Sequence, residues 1–211
     1  MAEKPIIFSS ENVRAILDGV KTQTRRVAKL PEKWHRGKAA FDKNPHGDEE
    51  FIIHGDCGTK QTYCPYGRVG DRLWVQEAHR IVKIKDRDTF CVQVQYSVDN
   101  EISDICLENL EYWKFGERKY PYRKTSGRFM YKSLSRITLE ITNIRVERLR
   151  DISLEDIAAE GIADLGGGAQ AVIDCFINEV WDPINEKRGY GWNENPFVWV
   201  IEFKRISDKG R

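Results

Sequence analysis

Between Ile137 and Leu149 the chain alternates apolar and polar residues, then changes step. Ile137, Leu139 and Ile141 share one parity, whereas Ile144, Val146 and Arg148 share the other. Such alternation predicts a long strand with one buried face. The change near Thr142–Asn143 predicts a bulge or bend of the kind small barrels use to turn. A second alternating run, Phe197/Trp199/Ile201/Phe203 against Val198/Val200/Glu202/Lys204, predicts a strand over 197–206. These two strands dominate what the chain can fold into.

The remaining elements are shorter. Pro5–Phe8 reads as a strand, followed by a helix capped by Ser9 or Ser10, with Val13, Ile16, Leu17 and Val20 on one face. Gly19 supplies the left-handed stop. A turn at Tyr66–Asp71 leads into a strand over 72–78, and residues 80–84 and 89–97 form a hairpin. Ser153 caps a short helix over 154–160 that Gly161 ends, with Asp156 at the third helical position completing a capping-box-like pattern. Residues 169–181 form a longer helix with Val172, Phe176 and Val180 facing the core. Residues 28–64 and 99–133 are poor in pattern and are expected as two long insertions. The expected architecture is one α+β domain over 1–211, a small β-barrel flanked by two to three helices.

Six Trp and 11% aromatic residues are enough for a real core. The net charge of +1 hides patches. Residues 20–38 carry a local +6, residues 114–136 a local +7, and residues 151–164 five acids with no base. Basic zones of this kind suit a polyanion, and equally suit the acidic zone of the same chain. The five Cys are irregularly spaced with no Cys-x-x-Cys, which favours a reducing compartment and a cytoplasmic protein. No signal-like apolar segment opens the chain, and no apolar run approaches the roughly 20 residues of a membrane span.

The densest chemistry is Gly19-Val20-Lys21-Thr22-Gln23-Thr24-Arg25-Arg26. An amine, two hydroxyls and two guanidinium groups leave the first helix at a fixed place. As a solvated edge, the cations suit the helix C-terminus. As a site, Lys21 is a base only if burial or Arg25 and Arg26 draw its pKa down, and Thr24 is a nucleophile only beside such a base. Residues i and i+3 of an extended segment face apart, so contact between Lys21 and Thr24 needs a local bend. Thr22 is expected to pack locally. Glu160 ends the acidic helix, where a carboxylate opposes the dipole. It is either a proton donor or a buried partner of Lys21 or Arg26.

Taken as blocks, Pro5–Ser9 and Val13–Arg26, then Pro65–Glu77, Ile152–Ile162 and Asn195–Phe203, resemble in order the longer, phage- and prophage-type branch of the ASCH domain family, relatives of the PUA barrel. Small bacterial ASCH proteins are amidohydrolases that deacetylate N4-acetylcytidine through a Gly-x-Lys-Thr-x-Thr motif and a glutamate. The resemblance implies Thr24 as nucleophile, Lys21 as proton acceptor and Glu160 as proton donor. It equally implies RNA-binding or RNA-cleaving relatives, so the domain alone does not fix the activity.

Other residues carry paired readings. Trp74 and Trp199 are core residues unless they stack bases, and Glu77 lines a pocket or pairs with an arginine. The basic-aromatic run Tyr112–Tyr131, with Lys119, Arg123 and Lys124, suits single-stranded nucleic acid or covers the barrel as a flap. His54, Cys57 and Cys64 offer a metal half-site without a second pair, so no metal and no cofactor are expected. Three functions follow: hydrolysis of an acylated nucleobase or nucleoside, binding of RNA or a modified base, and RNA cleavage.

Overall fold

In the computed structural model the described residues are 1–29, 40–43, 51–55, 58–86, 91–107, 123–162 and 167–206. Strands and helices are numbered along the chain. Two compact units are interleaved in it, one from Met1–Asp18, Arg72–Leu139 and Arg205–Arg211, the other from Gly19–Asp71 and Glu140–Lys204.

In the first unit, β1 (Glu3–Ile7) runs parallel to β6 (Arg72–Gln76), with Ile6 opposite Val75. The Ser9 hydroxyl accepts from Asn12 N at 3.3 Å and starts α1 (Ser10–Leu17), which buries Val13 and Ile16. The helix stops before Gly19, whose φ of +76° a side chain would strain. Val20, expected on the apolar face, lies past that stop and is exposed. The predicted hairpin forms from β7 (His79–Asp86) and β8 (Cys91–Tyr96). A third strand, β9 (Ile102–Cys106), joins it inside a stretch expected to be irregular. Val92, Val94 and Tyr96 of β8 pack with Ile81, Leu107, Met130 and Leu134. Burial of each large apolar side chain there contributes about 1.5–3 kcal/mol. Cys91 and Cys106, directly opposite in register, are joined by a disulfide.

The second unit holds residues 140–148 of β10 (Thr138–Arg148), residues 197–204 of β11 (Phe197–Ile206) and all of β2 (Gln23–Val27), in the order β10-β11-β2. Burial along β10 changes parity as expected: Leu139 and Ile141 face inward, then Ile144. β11 is buried on both faces from Phe197 to Ile201. Val198 and Val200 pack with Leu149, Ile157, Phe176 and Trp181, beneath α2 (Leu154–Ala159) and α3 (Gly168–Cys175), which continues as a π-helical segment to Trp181. On the opposite face the Trp199 ring meets the edge of Phe51 at 4.9 Å. Phe51 belongs to a small antiparallel sheet of β3 (Ala40–Lys43), β4 (Phe51–Gly55) and β5 (Gly58–Thr62). Residues 28–64 are therefore not simply an irregular insertion. Glycines and charges in such short strands mask the period-2 signal.

The α+β class holds. Among the described residues each sheet begins and ends on different strands, so the expected barrel is not closed by strand pairing.

Candidate functional site

The segment after Gly19 is fixed from two sides. Thr22 N donates to Ala159 O at 2.9 Å, and Phe203 N donates to Thr22 O at 2.8 Å. Thr22 is thus held by its backbone, and its exposed side chain does not pack as expected. These bonds swing Lys21 onto the end of α2. Its Nζ donates to Glu160 O at 2.7 Å and to Glu160 Oε2 at 2.6 Å. A helix end leaves carbonyls unpaired and carries negative potential. Lys21 and Thr22 N between them satisfy two of those carbonyls, and the ammonium offsets the unfavourable placement of the Glu160 carboxylate.

This pair is nearly sealed from water, with side chains 1% and 4% exposed. Burial pushes Lys21 below the ordinary lysine value; Glu160 pulls it back up, while Arg26 and Arg25 reinforce the burial. Burial also lowers Arg26, whose guanidinium lies 6.0 Å from the centre of the Tyr66 ring.

Strand register sorts the rest of the motif. Gln23 and Arg25 share one face of the sheet with Glu202 and Val200, whereas Thr24 and Arg26 share the other with Ile201 and Trp199. Thr24 is therefore turned away from Arg25. It is 4% exposed, and within the described residues its hydroxyl makes no hydrogen bond to Lys21 or Glu160.

Arg25 sits in an ionic ring. Its Nη2 donates to Glu147 Oε1 at 2.6 Å and Asp156 Oδ2 at 2.8 Å. Arg145 closes the ring, with Nε on Glu147 Oε2 at 2.9 Å and Nη2 on Asp156 Oδ1 at 2.8 Å. Arg145 also meets Glu202. Burial acts against the Asp156 charge, but the hydrogen bonds and charges of Arg145 and Arg25 outweigh it and hold this carboxyl below the usual range. Asp156, whose sequence position reads as a helix cap facing solvent, thus has a second task. Arg145, Glu147 and Glu202 were not legible as site residues, because charged residues alternating along a strand ordinarily mark a solvated face.

Several buried polar atoms here make no hydrogen bond within the described residues: Gln23 Nε2, Arg25 Nε and Nη1, and Glu160 Oε1. Arg25 Nη1 and Glu160 Oε1 stand 3.6 Å apart, beyond good hydrogen-bond distance.

Other expected binding residues have different settings. Glu77, in the first unit, is paired: Arg136 Nε and Nη2 donate to its two oxygens at 2.9 and 3.0 Å, and the guanidinium lies 4.1 Å from the Tyr96 ring centre. Trp74, also in the first unit, is half-buried, since Leu73 and Val75 take the inward positions of β6. Trp199 is core, as expected. Arg123 and Lys124 are exposed. Lys119, most of the run Tyr112–Tyr131, and the His54 and Cys57 side chains lie outside the described residues. Cys64 is buried. No group of metal-ligating side chains occurs among the described residues, and no described helix is long and apolar enough to cross a membrane.

No family model matches this sequence. No curated protein matches it either. Among solved structures, a crystal structure of an ASCH domain from Lactobacillus crispatus JV V101 is similar over 97% of this chain and 79% of that one, at 15% sequence identity and a TM-score of 0.38.

Proposed function

We propose that this chain is an ASCH-type hydrolase that cleaves the amide of an acylated nucleobase or nucleoside, of the N4-acetylcytidine kind. The observation that carries this reading is the 2.6 Å contact of Lys21 Nζ with Glu160 Oε2, between motifs 139 residues apart. A proton passed across that contact leaves a neutral amine and a protonated carboxyl side by side, the base and the acid that amide cleavage needs. Lys21 Nζ takes the Thr24 hydroxyl proton as Thr24 Oγ1 bonds to the acyl carbon. The C–N bond breaks as Glu160 gives its proton to the leaving nitrogen. Water then splits the threonine ester, releasing the carboxylic acid and restoring the hydroxyl.

A second reading, recognition of a nucleobase without cleavage, is favoured by one observation: Thr24 is nearly buried and shares no hydrogen bond with Lys21 in this structure. The purified full chain, given N4-acetylcytidine and assayed for cytidine and acetate, separates the two. Hydrolysis abolished by Thr24→Ala with the fold retained supports cleavage. Binding without turnover across a panel of acylated nucleosides favours recognition.

A further inference from the structure

Five cations and no acid lie between Arg123 and Arg136. The fold sorts them into two groups. Arg136 is neutralised by Glu77, Asp99 and Glu101, and Lys132 pairs with Glu3. Arg123, Lys124 and Arg128 are exposed and pair with no acid among the described residues. The uncompensated charge therefore gathers on the N-terminal side of the stretch, where Arg128 directly precedes Phe129.

Phe129 is 57% exposed, and its ring meets no other ring or cation among the described residues. A single exposed apolar residue is ordinary. What sets Phe129 apart is that the chain on both sides of it is pinned. Thr125 and His79 exchange backbone hydrogen bonds at 2.7 and 3.0 Å. Gly127 lies so close to the end of β6 that a Cβ there would come within 2.9 Å of the Gln76 carbonyl oxygen. Met130 is buried; its sulfur accepts from Glu77 N at 3.4 Å and its carbonyl from Gln76 Nε2 at 3.5 Å. Between these anchors, Phe129 N donates to Ser126 O at 3.0 Å and Met130 N to Gly127 O at 2.8 Å, which closes a single 3₁₀ turn over Gly127–Phe129. In such a turn residues three apart eclipse. Gly127 and Met130 thus share the side against β6, and Arg128 and Phe129 take the two outward directions. The backbone itself holds a flat ring and a guanidinium side by side in water.

We propose that Arg128 and Phe129, with Lys124 and Arg123, form a docking surface for single-stranded nucleic acid. An unpaired base stacks on the open face of Phe129, and the phosphates flanking it meet Arg128, Lys124 and Arg123. Every base has a face to stack and every nucleotide a phosphate, so recognition of this kind is sequence-tolerant and salt-sensitive. A duplex keeps its bases stacked inside and offers the cations phosphates alone. An anionic membrane also attracts the cations, but binding to it grows with buried apolar area, and one ring on a fixed turn supplies little. The surface lies wholly within the first unit, and its test needs no turnover at Lys21 and Glu160.

The test is titration of the full chain, over a range of salt, against a labelled oligouridylate of about ten nucleotides, its duplex with oligoadenylate, and vesicles containing an anionic phospholipid. Oligouridylate is expected to bind, with log affinity falling against log salt at a slope of roughly −2 for three phosphate contacts. Phe129→Ala and Phe129→Leu are each expected to weaken that binding roughly tenfold at an unchanged slope, and Phe129→Trp to retain it. Leucine keeps apolar bulk and loses only the flat face. Arg128→Gln is expected to make the slope shallower by roughly 0.7. Both positions are exposed, so the variants are expected to melt as the wild type does. The duplex is expected to bind more weakly, and equally to wild type and Phe129→Ala. No binding of oligouridylate at low salt, binding that Phe129→Ala leaves unchanged, or tighter Phe129-dependent binding to the vesicles than to oligouridylate overturns the proposal.

Discussion

Lys21 Nζ reaches both the backbone carbonyl and the carboxylate of Glu160, so one ammonium caps a helix and neutralises the acid at its end. The structural and chemical roles of the pair are therefore coupled. Removing one partner strands the other charge out of water, at a cost of about 3–5 kcal/mol. Lys21→Met and Glu160→Leu are each expected to destabilise the protein by about that amount, and the double variant by clearly less than their sum. Urea unfolding of the three variants measures this; an additive double variant would contradict the pairing.

The lowered Lys21 value also gives a signed pH dependence. The unfolded chain holds its proton up to the ordinary lysine value of 10.5, while the folded chain releases it earlier. Between the two values the unfolded state binds more protons, so this group makes the fold more stable as pH rises through that window. The slope of stability against pH on the alkaline side is expected to fall in Lys21→Met. An unchanged slope would show that Lys21 is not depressed.

Asp156 acts at the other end of the scale. Its carboxyl is held below its ordinary 3.8 by Arg145 and Arg25, against the effect of burial. Its contribution is complete above that ordinary value and is lost as pH falls through the folded one. Asp156→Asn is expected to lower stability at neutral pH and to flatten acid unfolding in that range. Stability curves from pH 7 downwards test it.

Arg136 and Glu77 make a two-pronged ion pair in the first unit, with Tyr96 under the guanidinium. Burial raises the Glu77 carboxyl, and hydrogen bonds and charge from Arg136 oppose that rise. Arg136→Lys keeps the charge but loses both the fork and the stacking. A loss on the order of 1–3 kcal/mol is expected in thermal or urea unfolding. A neutral result would mean that a single ammonium suffices.

The disulfide joins the open end of the β8–β9 hairpin, across a sequence separation of 15. Closing a loop of about that length stabilises by roughly 3 kcal/mol on chain-entropy grounds. Cys91→Ser/Cys106→Ser is expected to lose about that much, and thiol counting in denaturant is expected to find both cysteines oxidised in protein kept from reductant.

Local physics made part of this legible. Ser9, Gly19 and Ser153 mark helix ends because caps and left-handed stops depend on near neighbours alone. The parity change at Thr142–Asn143 showed because both halves of β10 bury apolar residues. Lys21 and Glu160 were paired in advance by resemblance to a motif, since nothing in their spacing shows it. Arg25 with Glu147 and Asp156 was not legible: the contacts span 122 and 131 residues and arise from strand register. The same holds for Cys91 and Cys106, whose pairing follows from β8–β9 register. β9 alternates too weakly, in Ile-Ser-Asp-Ile-Cys, to stand out as a strand.

The most direct measurement is turnover of N4-acetylcytidine by the full chain as a function of pH, beside Thr24→Ala and Glu160→Gln. Deacetylation is expected that both variants abolish while remaining folded, and whose rate falls as pH rises through the lowered Lys21 value, where the pair loses the proton that Glu160 gives to the leaving nitrogen. Deacetylation that survives Thr24→Ala, or none by the wild-type chain on any acylated nucleoside, would contradict this mechanism.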